Sequence, residues 1–222
     1  MISITRLFSS RLRVAGLALL LASGLALPAR AAPVGEVVAL RGFASLVVDG
    51  VTKPLKLGGQ VEPGWEIRTA KPGRVKLKFI DGSVMVIGDA SRLKIERFQV
   101  PGGGKGRDAG FFLDVGLVNQ VVAPAQDSQW RMRTPSAVTA VRGTEFMVEV
   151  NPDKITDVHV ETGAVSVEPL RKFRTRGELD SPPLLLDQKY QGVSCDAKGR
   201  CSAPQSGQED RVRALRDRLS GV

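Results

Sequence analysis

The strongest constraint on this chain is a succession of short apolar runs with a two-residue period, cut at intervals by turn residues. Val75, Leu77 and Phe79 alternate with Lys76 and Lys78, and the run stops at Asp81-Gly82-Ser83. Val37 and Ala39 face opposite to Val38 and Leu40 and close on Gly42; Ala44 to Val48 then runs into Asp49-Gly50. Val84 and Val86, Leu93 and Ile95, Phe112 to Val118, Trp130 to Arg133, Val138 to Val141, Glu145 to Val150, Asp157 to Val160 and Ala164 to Val167 continue the series. A period of two puts alternate side chains on opposite faces of a strand, whereas an amphipathic helix needs three- and four-residue spacing. No such helical spacing occurs between Val34 and Leu170. The pattern predicts an all-β fold, an antiparallel β-sandwich or roll of about 10–12 short strands.

Both ends depart from this pattern. Arg6, Arg11 and Arg13 precede the apolar run Val14 to Leu27, which ends at Ala29-Arg30-Ala31. A basic region, a short apolar stretch and an A-x-A site read as a bacterial signal peptide over residues 1–31, cleaved near Ala31. A retained anchor is the alternative, although the run is short for a membrane span. The expected location is the periplasm or the exterior, and the processed chain is not an integral membrane protein. The formal charge of +9 falls to about +5 without the four leader arginines, which leaves a mildly basic protein. Nucleic-acid binding would need a dense basic face with aromatic platforms, and the sequence has neither.

The C-terminal part, residues 171–222, opens on the basic cluster Arg171, Lys172, Arg174 and Arg176, followed by Ser181-Pro182-Pro183. Leu184 to Tyr190 can add one more strand. Cys195 and Cys201 are the two cysteines, and in an oxidising compartment this spacing predicts a disulfide. Val212, Leu215 and Leu219 are spaced for a short terminal helix over Glu209 to Leu219. The domain reading is a leader (1–31), a β-domain (32–170) and a basic, disulfide-containing appendage with a terminal helix (171–222).

Catalytic chemistry finds few residues. One histidine, His159, leaves little room for Ser-His-Asp or Cys-His arrangements, and disulfide-bonded cysteines are not nucleophiles. Glu145 and Glu149 share a strand face roughly 13 Å apart, too far for a glycosidase pair. No metal spacing and no cofactor fingerprint is present, so no metal and no cofactor is expected. The Gly102 to Gly106 run lacks the remaining residues of a phosphate loop. Trp65 and Trp130 are candidates to line a ligand site.

The stretch RTPSAVTAVRGTEFMVEV, Arg133 to Val150, reads as two strands joined at Arg142-Gly143-Thr144. Gly143 is expected at a bulge or at positive φ. Arg142 would then pair with Glu145 or Glu149, fork onto backbone carbonyls, or contact a ligand directly. Thr144 would bond nearby backbone, and Phe146 would anchor the core. Pro135 suits an edge or the first position of a strand.

The blocks Gly64 to Thr69, Gly73 to Ser83 and Thr134 to Phe146 with their Asp81-Gly82-Ser83 and Thr-Pro…Val-Arg-Gly-Thr-x-Phe signatures, followed by Glu161 to Val165, strongly resemble the FecR domain. The resemblance covers Gly35 to about Val167. It marks Thr134, Pro135, Val141, Arg142, Gly143, Thr144 and Phe146, with Asp81, Gly82 and Ser83, as a structural motif. Members of the iron-uptake type combine a cytoplasmic anti-sigma segment, a membrane helix and a periplasmic part that receives a signal. With the leader read as above, this sequence keeps only the exported β-module. The resemblance therefore implies a non-enzymatic module for ligand or protein binding, envelope sensing or scaffolding, with an envelope protein or glycan as partner. The alternatives are an enzyme acting on envelope carbohydrate or peptidoglycan, using acids such as Asp81, Asp89 and Glu145, and a binder of anionic lipopolysaccharide surfaces.

Overall fold

The computed structural model describes residues 32–101, 106–170 and 182–222. These form fourteen strands and one helix. The strands are β1 (Gly35–Val48), β2 (Val51–Pro54), β3 (Gln60–Val61), β4 (Glu66–Phe79), β5 (Val84–Ile87), β6 (Arg92–Gln99) and β7 (Arg107–Val121). They continue with β8 (Ser128–Arg133), β9 (Ala137–Val141), β10 (Glu145–Val150), β11 (Thr156–Thr162), β12 (Val165–Pro169), β13 (Leu184–Leu186) and β14 (Gly192–Cys195). Helix α1 (Glu209–Leu219) closes the chain. Among the described residues no helix is long and apolar enough to cross a membrane.

Three strands are much longer than the runs read from the sequence: β1 and β4 have 14 residues each and β7 has 15. Each bends and serves two layers. Ala44 to Val47 of β1 pair with Glu66 to Thr69 of β4, whereas Gly35 to Gly42 pair with Gly73 to Phe79. The N-terminal part of β7 pairs with β6, and Val118 to Val121 pair with β5. The first layer therefore runs β2, the end of β1, the start of β4, β6, the start of β7, β8, β9, β12 and β13. The second runs β3, the start of β1, the end of β4, β5, the end of β7, β10, β11 and β14.

The bends occur where side chains are missing. Gly42 has φ +67°, and a Cβ there would lie 2.3 Å from the Pro72 carbonyl oxygen. Gly116 has φ +113°, and a Cβ there would fall 2.1 Å from Ser91 Oγ. A side chain at either position would clash with these neighbours and be strained at positive φ, so the bends depend on glycine. The bend in β7 has a second effect. Its end returns towards its start, so the connector 122–127 is enough to begin β8 parallel to β7. A parallel crossover normally needs a dozen residues or more. All the other strand pairings are antiparallel.

The core lies between the layers. Phe79 of the second layer stacks on Phe98 of the first at 5.1 Å and meets Phe111 and Trp130 edge-on at 5.5 and 5.6 Å. Period-2 alternation explains the selection. Phe146, Val148 and Val150 of β10 are buried inward, as are Val158 and Val160 of β11.

The residues from Pro182 onward are built into this body rather than appended to it. Strand β13 extends the first layer and β14 the second, and Leu186, Val193 and Cys195 lie in the main core. Residues 32–222 thus form one compact unit. A three-residue strand carries too little pattern to be placed from its sequence. The basic cluster Arg171 to Arg176 and the Gly102 to Lys105 run lie outside the described residues.

Candidate functional site

The Arg142-Gly143-Thr144 joint is the corner where the chain passes from the first layer (β9) to the second (β10). Gly143 sits at φ +63°, and a Cβ there would come 3.3 Å from Pro124 Cβ. Arg142 Nε donates to the Ala125 carbonyl at 3.2 Å, so the arginine binds backbone and neither Glu145 nor Glu149. Val122 N–H donates to Thr144 O at 3.0 Å. Thr144 Oγ1 donates to Ala164 O at 3.0 Å, tying this corner to the one at Gly163, where the chain crosses back from β11 to β12. Val141 and Phe146 flank the joint from the core.

The Asp81-Gly82-Ser83 turn meets the same connector from the other side. Gly82 takes φ +84°, and Asp81 accepts from Ser83 N–H at 3.0 Å and Ser83 Oγ at 2.7 Å. Asp81 also pairs with Arg107, a side chain that is 1% exposed. Arg107 donates to Ala123 O at 3.1 Å, and Ala123 N–H donates to Ser83 Oγ at 3.0 Å. Two sequence blocks about 60 residues apart therefore clamp the connector 122–127 between them. Arg107 is absent from the sequence reading because it stands beside the Gly-rich run with no pattern to mark it.

Trp130 is corrected as a ligand-site candidate. It is fully buried, its indole N–H donates to Gln120 Oε1 at 2.7 Å, and the Arg107 guanidinium lies 5.1 Å from its ring. No face is left for a ligand. Trp65 is half-buried against the core in the approach to β4.

At the opposite end of β9, Thr134 Oγ1 accepts from the Ala137 N–H at 3.0 Å and lies 2.8 Å from Thr156 Oγ1. Ser136 Oγ donates to Thr156 Oγ1 at 2.6 Å and to the Cys195 carbonyl at 3.4 Å. Pro135 stands just before β9, where its missing N–H costs no ladder bond. Cys195 and Cys201 form a disulfide, so the Thr-Pro-Ser segment is buttressed by the cystine loop.

The two outer faces differ sharply. On the second layer, α1 lies over Leu117 and Met147 and buries Val212, Leu215 and Leu219. Arg211 and Arg218 reach Glu149 at 2.7 and 2.5 Å, and Arg216 pairs with Glu161. Met147, which alternates with inward Phe146 and Val148, is therefore buried from outside. His159 is 6% exposed, and neither ring nitrogen has a hydrogen-bond partner among the described residues. Burial pushes its pKa below the ordinary value of 6.5, with Arg211 adding to this against the pull of Asp157 and Glu149.

The first layer's outer face carries no helix among the described residues. It holds a basin of about 440 Å³ lined by residues that include Arg97, Gly110, Arg131, Arg133, Ala140 and Ser166. Arg97 binds Asp108 at 2.8 Å, and Arg133 pairs with Glu96 while its guanidinium lies 4.3 Å from the Phe112 ring. Nearby, Asp114 is bound by Arg92 at 2.7 Å and Lys154 at 2.9 Å. Burial raises the Asp114 pKa, but these two cations outweigh it and hold the carboxyl below its ordinary value. No group of three or more His, Cys, Asp or Glu side chains with metal-binding geometry occurs among the described residues.

Two crystal structures of a candidate anti-sigma factor from Parabacteroides distasonis ATCC 8503 resemble the chain at 18% sequence identity and a TM-score of 0.49. The match covers 67% of this chain, which spans 63% and 62% of the length of those two chains. No curated protein matches the sequence significantly. The sequence profile described as "FecR protein" matches residues 66–166, a span that contains the Asp81 turn, the Thr134 block and the Gly163 corner. Residues 66–166, from β4 into β12, therefore match the FecR domain.

Proposed function

We propose that this chain is an exported, non-enzymatic FecR-type β-module that holds a partner protein in the bacterial envelope and serves sensing or signal transduction there. The carrying observation is the one-sidedness of its FecR domain: α1 seals one outer face, and the other presents a charged basin. The motif residues support a structural part in this reading. Arg142, Gly143 and Thr144 are engaged with Ala125, Pro124 and Ala164, which makes them a brace for the sandwich. The acids that an envelope hydrolase would use stand apart. Asp81 is paired with Arg107, Asp89 accepts from Gly73 N–H at 2.9 Å, and Glu145 opens β10 on the second layer. The cystine and the basic leader support export.

The test is fractionation followed by capture. The full chain, expressed in a bacterial host with its own leader, is expected in the periplasmic fraction, shortened near Ala31. It should retain one specific envelope protein on affinity capture. Full-length chain confined to the cytoplasm, or capture of polysaccharide instead of protein, would refute the reading.

A further inference from the structure

Resting on that module reading, we infer that the basin on the first layer is a docking socket for a carboxylate-bearing side chain of the partner protein, with Arg131 as its receptor. The cross-strand row Arg97, Gly110, Arg131, Ala140 and Ser166 fixes the geometry. Gly110, Ala140 and Ser166 carry little or no side chain, so the sheet surface is low there and the arginines form walls. A Cβ on Gly110 would come 3.1 Å from Arg97 Cγ and Cζ, so Arg97 lies across the glycine on its way to Asp108.

The three guanidiniums of the basin are not equivalent. Arg97 and Arg133 are held by Asp108 and Glu96. Arg131 is exposed, and no acid among the described residues lies within ion-pair range of it. A planar guanidinium with no acid partner among the described residues, framed by two neutralised neighbours, matches a carboxylate and can bind it bidentately.

The acids around the basin decide the class of partner. Glu96, Asp108 and Glu168 stand among the arginines, and they would repel a polyanionic glycan or an anionic lipid surface. Glu168 is exposed and lies two strands from Arg131 and two residues further along, roughly 12 Å away by strand spacing and rise. A surface bearing both signs of charge at that separation is characteristic of a folded protein, and charge complementarity of this kind sets register and partner choice.

The test uses the purified full chain, isotopically labelled, and three probes: a short peptide alternating Glu with Ser, its Lys-Ser counterpart, and inorganic phosphate. The Glu-Ser peptide is expected to move the amide signals of Gly110, Arg131, Ala140 and Ser166. Its affinity should fall about tenfold in Arg131→Ala, the size expected for a lost charge-assisted contact. Arg213→Ala, on the outer side of α1, should bind as the parent does. Shifts elsewhere, no shifts, equal binding by Arg131→Ala, or phosphate binding at the same residues as tightly as the peptide would each overturn the socket. Envelope capture separates the two readings. If Arg131→Ala retains the same partner as the parent, the socket is wrong and the module stands; if the parent retains none, the module reading itself fails.

Discussion

The two outer faces of this sandwich are built from the same kind of alternating strand, yet they have opposite fates. On the second layer the outward positions include Leu117 and Met147, and α1 buries them. On the first layer the outward positions are Arg92, Lys94, Glu96, Arg97, Arg131 and Arg133, most of them held in ion pairs across the strands. Leu117 and Met147 together give α1 its seat, because an eleven-residue helix is marginal alone and draws its stability from an apolar strip beneath it. The arginine-to-glutamate pairs around α1 fix its orientation. The two pairs to Glu149, whose arginines are about half exposed, contribute at most about 1 kcal/mol each.

That contrast can be broken from the inside outward. Arg107→Met leaves Asp81 buried and uncompensated, and should cost about 3–5 kcal/mol in denaturant unfolding. Both faces should fail together, because the connector 122–127 braces both layers. Leu215→Ala removes the centre of the helix seat and should cost about 2–4 kcal/mol. Apolar-dye binding should then rise on the second layer while the amide signals of the first-layer basin stay in place; loss of both would mean the faces are coupled. Gly143→Val forces a β-branched residue to positive φ against Pro124 and should cost about 2 kcal/mol. A variant that melted like the parent but lost its partner would instead make this corner a contact site.

The smaller effects separate the faces more finely. His159 is held neutral, so its pKa in the folded protein lies below the unfolded value of 6.5. Above that pH it contributes no dependence. As pH falls through 6.5 the unfolded chain takes up the proton first and stability declines, until the folded pKa is passed. Melts between pH 7.5 and 5 should show this slope, and His159→Gln should remove it. Asp157, Glu149 and Arg211 surround the ring, so the slope reports on the second layer alone. Smallest of all, Arg131→Ala should change stability by less than about 0.5 kcal/mol. A larger loss would make Arg131 part of the scaffold.

Much of this was legible from local pattern. Val75 to Phe79, Glu145 to Val150 and the terminal Val212, Leu215 and Leu219 carry their periods openly, and the structure places them as strands and helix. Gly143 is expected at a bulge or at positive φ, and its backbone has φ +63°. Other features depend on contacts between residues far apart. No local signal distinguishes β4 as one bent strand from two short ones, because its bend is set by Pro72 and Gly73 packing against β1. Arg107 gains meaning only when the return of β7 brings it to Asp81, 26 residues earlier. Trp130 reads as a candidate to line a ligand site until Phe79, Phe98 and Phe111 close around it. The two layers, and with them the identity of the open face, rest on the same long-range bends.

The helix seat also bears on what a truncation would expose. Arg211 and Arg218 meet Glu149, 62 and 69 residues upstream, and Arg74 donates to Ser220 O across 146 residues. The strip at Leu117 and Met147 is therefore covered by a segment far from it in sequence, Glu209–Leu219. A molecule cut short at Ser206 would carry every strand and the cystine, yet display an oily stripe to the proteases around it.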